Sequence, residues 1–325
     1  MADPFVQLIG QQQAVELLVQ AVKKNRISPA YLFVGPEGVG RSLAARCFTE
    51  LLFTNESNAN FIRNQLQNAN HPDLLWVEPT YHHQGQLLTA AQAADKGIQR
   101  QGSPLIRLEQ IRQITEFVSR PPLEAPRHIV VIEQAETIAE AAANALLKTL
   151  EEPGQATIIL IAPSVESILP TLVSRCQRIL FRCLDTVAMT SVLKRVGYQE
   201  ILQNPVILSI AAGSPGKAIA AYKQMQNIPL PILQTASQIP KNYIQALELA
   251  REIDKSLDTE AQLWLIDFLQ HFYWQNWRQA SIINQLEQAR KFLLAYAQPR
   301  LIWECTFLQL CQLQADVGNK NKSGS

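Results

Sequence analysis

The stretch Ala30-Tyr-Leu-Phe-Val-Gly-Pro-Glu-Gly-Val-Gly-Arg-Ser42 decides the fold of this chain. Its first five residues form an apolar run of the kind buried inside a parallel sheet, and an amphipathic helical pattern over Ser42–Phe53 follows. Between strand and helix stand Gly35, Pro36, Glu37, Gly38, Val39, Gly40, Arg41 and Ser42, the layout of a phosphate-binding P-loop, G-x-x-x-x-G-K-[ST], with one change. The glycines let the backbone curl so that its N–H groups face inward, and the helix N-terminus adds partial positive charge. Position 41 carries Arg where the motif has Lys. A planar guanidinium on a longer stem keeps the charge but not the geometry of the compact ammonium.

Working outward, Leu74–Val77, His128–Ile132, Thr157–Ile161 and Arg178–Phe181 read as further buried strands. Helical patterns cover Arg107–Ser119, Glu140–Glu151 and Ser167–Val173, with Pro153-Gly154 stopping the second. Alternation of this kind predicts an α/β domain over residues 1–183, a parallel five-stranded sheet flanked by helices with right-handed crossovers. The polar stretch 79–105, with His82-His83, is too long for an ordinary connection and reads as a surface insertion. Beyond Asp185 the strand signal vanishes. Residues 184–227 read as a small helical group, and Ile228-Pro-Leu-Pro231 with Ile239-Pro240 reads as a linker over 228–240. Residues 241–317 are helical again, clearest at Ala261–Trp277 and Asn284–Tyr296, and 318–325 has the composition of a disordered tail.

Composition removes several function classes. Across 325 residues, Lys+Arg 29 against Asp+Glu 28 leaves a net charge of +1, so no global basic field draws the chain onto nucleic acid. With 47% hydrophobic residues there is ample material for packed cores, yet no apolar run approaches a membrane span. The N-terminus lacks a signal-peptide layout, and the expectation is a cytoplasmic protein. Cysteines at 47, 176, 183, 305 and 311 include no C-x-x-C pair, so buried free thiols are expected rather than zinc. The C-terminal aromatics, from Trp264 to Trp303, have few Lys or Arg neighbours and read as a helical core plus an apolar association face, not as base-stacking platforms.

A P-loop ATPase also needs an acidic pair at the end of a second buried strand. Here His128–Ile132 runs into Glu133-Gln134-Ala135-Glu136. The first acid of such a pair holds the Mg²⁺ shell and the second polarises the attacking water. Glu133 preserves a carboxylate; Gln134 has nearly the shape of Glu but cannot carry negative charge or accept a proton. The plainer alternative is polar residues ending a strand. Arg41 and Gln134 together predict a chain that does not hydrolyse ATP.

Several stretches resemble those of the clamp-loader subunits of bacterial DNA polymerase III, a AAA+ family: Ile9-Gly-Gln11, Ala30-Tyr-Leu-Phe33, His71-Pro-Asp73, Asn144-Ala-Leu-Leu-Lys-Thr-Leu-Glu-Glu-Pro153, Ser174-Arg-Cys176 and Gly213-Ser-Pro-Gly-Lys217. The resemblance is strong over 5–225 and rests on helical pattern and length over 230–316. It implies a AAA+ module, a helical lid over 184–227 and a helical collar over 241–317 that joins five subunits in a ring. It implies partners: gamma/tau-type ATPase subunits, a delta subunit, and, through the complex, a sliding clamp and primer–template DNA, with no membrane. The ring member it resembles hydrolyses little or no ATP and contains no polymerase site, although the holoenzyme it serves is a DNA-directed DNA polymerase. By the same resemblance Arg175 is an arginine finger for a neighbour's γ-phosphate, the alternative being a surface Arg capping a helix. Lys217 stands where lids sense nucleotide, or is a solvated helix residue. No cofactor is required; weak ATP or ADP with Mg²⁺ at the altered loop stays open. Many relatives carry a four-cysteine zinc module after the P-loop helix, and Thr54–Asn70 holds no cysteine, so no zinc is expected. A rival reading is an active AAA+ ATPase acting on DNA that tolerates Arg41.

Overall fold

The computed structural model describes residues 3–54, 59–68, 70–96 and 103–322. The chain divides into two compact units, Met1–Ser191 and Val192–Ser325. In the first, the strands are β1 (Ala30–Val34), β2 (Leu74–Val77), β3 (Thr80–His83), β4 (Gln86–Thr89), β5 (His128–Ile132), β6 (Ala156–Ala162) and β7 (Gln177–Leu180). The helices are α1 (Gln12–Lys23), α2 (Arg41–Phe53), α3 (Ala59–Gln67), α4 (Ala90–Asp95), α5 (Leu108–Ser119), α6 (Glu140–Glu151) and α7 (Pro170–Val173). The division between units falls within α8 (Thr186–Arg195).

Five strands form one sheet in the order β2-β5-β6-β1-β7, every pairing parallel. All residues of β1, β5 and β6 are buried, because helices cover both faces of a parallel sheet. Leu32, Val130, Ile132, Ile158 and Leu160 meet Ile111 and Ile114 of α5 and Leu146 and Leu150 of α6 on one side. Each such fully buried aliphatic side chain contributes about 1.5–3 kcal/mol. Tyr31 and Phe33 alternate to the other side, where Tyr31 meets Phe48 of α2 edge-on at 5.2 Å and Phe33 meets Phe181 at 5.2 Å. The expected α/β architecture and its five parallel strands are therefore present.

Two local expectations need correction in this unit, and a third stretch gains detail. The helix expected from Ser167 starts only at Pro170, since Leu169 before the proline is held extended (ψ 130°) and Pro at the first position cannot donate inside a helix. Within the stretch 79–105, read as a surface insertion, β3 and β4 pair antiparallel around Gln84-Gly85, both at positive φ as a tight two-residue turn requires, and α4 follows; residues 97–102 lie outside the described residues. Cys47 is buried and Cys176 half-buried, but Cys183 is exposed, as is Cys305 in the second unit, so burial fails as a general reading of the thiols.

The second unit is helical: α9 (Pro205–Ala211), α10 (Pro215–Asn227), α11 (Leu230–Ala236), α12 (Tyr243–Ser256), α13 (Thr259–Trp277), α14 (Ala280–Leu294) and α15 (Pro299–Lys322). The stretch expected to be a linker holds α11. Its prolines at 229 and 231 sit at the cap and first turn, where proline is tolerated, and Ile232, Leu233 and Ala236 are buried. α15 continues past Gly318 to Lys322, against the expected disorder there, because extending an existing helix adds a hydrogen bond without a new nucleus; Ser323–Ser325 lie outside the described residues. Trp303, fully buried, donates to Gln262 at 2.9 Å, and Tyr273 donates its hydroxyl to the Ala236 carbonyl at 2.5 Å.

Candidate functional site

The phosphate-loop layout sits where β1 ends, and β6 lies between β1 and β5, so the loop and Glu133 flank the same strand end. Gly35 marks a close approach: a Cβ there would lie 2.3 Å from the Phe181 carbonyl oxygen. Gly40, at φ +102°, caps α2, and a Cβ there would lie 2.7 Å from Leu8. Gln11 holds the loop from behind. Its buried amide donates to the Val39 carbonyl (3.2 Å) and the Arg182 carbonyl (2.7 Å), and accepts from the Arg182 N–H (3.1 Å).

Arg41 and Ser42 begin α2, and both are half-buried. Burial pulls the Arg41 guanidinium below its usual range, opposed by the carboxylates of Glu136, Glu133 and Glu37 around it. Its Nη1 is buried without a hydrogen-bond partner. Burial pushes the Glu133 carboxyl up; a hydrogen bond from Ser42 and the charge of Arg41 work the other way. The structure thus brings Arg41, Ser42 and Glu133 together. Gln134 is exposed in the left-handed region (φ 48°), next to this group but pointed to solvent.

Arg175 belongs to a different place. It is exposed just after α7, where its Nη1 donates to the Thr171 carbonyl (3.0 Å) and its Nη2 to Glu151 Oε1 (2.5 Å). Ser174 folds back on the same Thr171 carbonyl at 3.0 Å. Cys176 packs against the core, and burial pushes its thiol up to about 12, which makes it an inert packing residue. Lys217 lies in the second unit, exposed, near the start of α10; its backbone N–H is capped by Ser214 at 3.2 Å.

Two structural residues carry more weight than sequence reasoning assigned them. Gln11 was visible only as part of a marker stretch, with no role. Asp73, fully buried, accepts the N–H groups of Leu123, Glu124 and Ala125, each at 2.7 Å, and lies 3.6 Å from His128 Nδ1. It thereby staples the loop that leads into β5.

Comparison with known proteins now fits this geometry. The family described as "DNA polymerase III, delta subunit" matches residues 10–185. The chain belongs to the DNA polymerase III delta subunit family. A second family, described as "Cyanobacterial DNA polymerase III delta prime, C-terminal domain", matches residues 187–310. Among relatives, DNA polymerase III subunit delta' of Bacillus subtilis is 32% identical over 185 residues, 55% of this chain and 50% of that protein. Subunit delta' of Pseudomonas aeruginosa is 34% identical over 154 residues, 45% of this chain and 41% of that protein. The match to the first of these therefore spans about half the relative's length. A DNA polymerase III gamma subunit-related protein of Thermotoga maritima shares the fold, with TM-score 0.52 at 17% identity over 92% of this chain and 99% of that one. The two family matches divide the chain as the fold does, a P-loop core followed by helices.

Proposed function

We propose that this family member serves a clamp loader as a delta-prime-type subunit: a ring component that does not turn over ATP itself and lends Arg175 to a neighbour's ATP. The observation that carries the reading is Arg41, turned among Glu133, Glu136 and Glu37 inside its own loop. A phosphate suits the glycine turns and the α2 N-terminus. Glu133 accepts from Ser42 and feels the charge of Arg41, so a weakly held Mg²⁺–nucleotide would have to compete with that guanidinium for the carboxylate. With Gln134 unable to act as a base, no hydrolytic step runs through this chain's own loop.

Arg175 is suited to act elsewhere. It is exposed, and its backbone is fixed, with the Arg175 and Cys176 N–H groups bonded to Leu172 and Val173. An arginine supplied in trans to the γ-phosphate accelerates phosphoryl transfer by about 10³–10⁵. The C-terminal helices act as the collar that seats the chain in a pentameric ring with gamma/tau-type and delta-type subunits, and the complex works in the cytoplasm on a sliding clamp and primed DNA. Reconstitution tests this directly. The chain alone is expected to show no ATP turnover with or without DNA, while the assembled complex loses ATP turnover and clamp loading with Arg175→Ala. Turnover by the chain alone, abolished by Arg41→Ala, would establish instead an active ATPase.

A further inference from the structure

Glu151 is the last residue of α6, and its carboxylate grips Nη2 of Arg175 across 24 positions of sequence. The two side chains remain 52% and 36% exposed, so this pair is not buried for stability. A guanidinium carries five N–H donors. Among the described residues, the contacts to Glu151 and the Thr171 carbonyl occupy one on each terminal nitrogen, which leaves Nε–H and a second N–H on each terminal nitrogen for a phosphate. A free arginine has rotamer entropy to lose when it engages a ligand. Holding it beforehand removes part of that loss from the reaction it assists.

We propose that Glu151 is the positioning residue for Arg175, an ion-pair partner that pre-sets the guanidinium for a neighbour's γ-phosphate. Ser174 and Cys176 complete the mount: one ties the backbone turn to Thr171, the other anchors it in the core. The inference rests on the reading of Arg175 as an arginine acting in trans.

The test uses the full chain assembled with its ATP-hydrolysing partners, measuring kcat and KM for ATP with Glu151→Ala, Glu151→Gln, Arg175→Ala and the Glu151→Ala/Arg175→Ala double variant. Glu151→Ala is expected to lower kcat about two- to fivefold, the scale of an exposed ion pair, with KM unchanged because the neighbour binds the nucleotide. Glu151→Gln, which keeps an acceptor oxygen, is expected to fall between wild type and Glu151→Ala. In the Arg175→Ala background, Glu151→Ala is expected to add nothing. Unchanged kcat with Glu151→Ala alongside a loss with Arg175→Ala would overturn the positioning role and leave the trans arginine standing. An equal loss from Glu151→Ala in both backgrounds would reassign Glu151 to fold maintenance. No loss with Arg175→Ala would remove the trans arginine, and Glu151's role with it.

Discussion

At the scale of single residues, charge placement decides what each part of this domain can do. Arg41 stands among the carboxylates of Glu136, Glu133 and Glu37, and Gln134 carries an uncharged amide that cannot accept a proton. Restoring both with Arg41→Lys and Gln134→Glu is expected to strengthen binding of a fluorescent ATP analogue by the chain alone, without turnover, since no γ-phosphate arginine is supplied in cis. A measurable rate from that variant would mean the loop needs no partner. Asp73 is governed by a different balance. Burial raises its carboxyl pKa, but three backbone N–H groups and His128 hold it below the ordinary Asp range. Its contribution is therefore complete above the ordinary Asp value of about 4 and is lost as pH falls through the lower folded value. His71 is also depressed, by burial, so the folded chain resists its protonation; stability declines as pH drops below 6.5. Thermal melts across this range are expected to show a first loss below about pH 6.5 that His71→Asn reduces, the remainder belonging to His271, which burial also depresses. Asp73→Ala, which orphans three buried donors, is expected to cost about 3–5 kcal/mol in urea unfolding.

At the scale of elements, the β1–loop–α2 unit is held by neighbours distant in sequence. Gln11→Ala removes three hydrogen bonds that tie the loop to the segment after β7. The expected loss is about 2 kcal/mol, or roughly 4–8 °C in Tm, with faster proteolysis near Val39. Gly35→Ala is expected to be more severe, because the new Cβ meets a backbone oxygen and not a movable side chain. Expression of Gly35→Ala with a wild-type melting curve would show that β7 can yield. Three of the strands legible in sequence, β1, β5 and β6, are buried on both faces, so their apolar runs are nearly continuous; β2 and β7, also expected to be buried, flank them at the sheet edges and are only partly covered. The hairpin β3–β4 was not legible, because His82, His83 and Gln86 face solvent and only Thr80 and Leu88 are buried along it. The Gln84-Gly85 turn was the available signal. The loop itself was readable from glycine spacing, whereas the grip of Glu151 on Arg175 depends on where two helices end, which no local pattern encodes.

At the scale of the molecule, the division after Ser191 makes the second unit a folding entity that starts earlier than the proline-rich stretch near 230. A chain ending at Ala236 would strip Ile232 and Leu233 of α12 and its neighbours and leave the Ala236 carbonyl without Tyr273. Such a fragment is expected to lose the helical signal of residues 192–236 and to aggregate, while a fragment ending after α8 keeps a cooperative melt by circular dichroism. Retention of full helicity by the longer fragment would show that 192–236 folds alone. The tryptophans divide in the same way. Trp76 is the one tryptophan of the first unit, lying with the Arg46 guanidinium 4.5 Å over its ring, while 264, 274, 277 and 303 belong to the second. Native emission is thus weighted toward the second unit. Acrylamide should quench half-exposed Trp274 first and sealed Trp303 last. With those four changed to Phe, the remaining fluorophore sits beside the helix that begins at Arg41, and its emission becomes a label-free optical readout of whether any phosphate compound enters the loop.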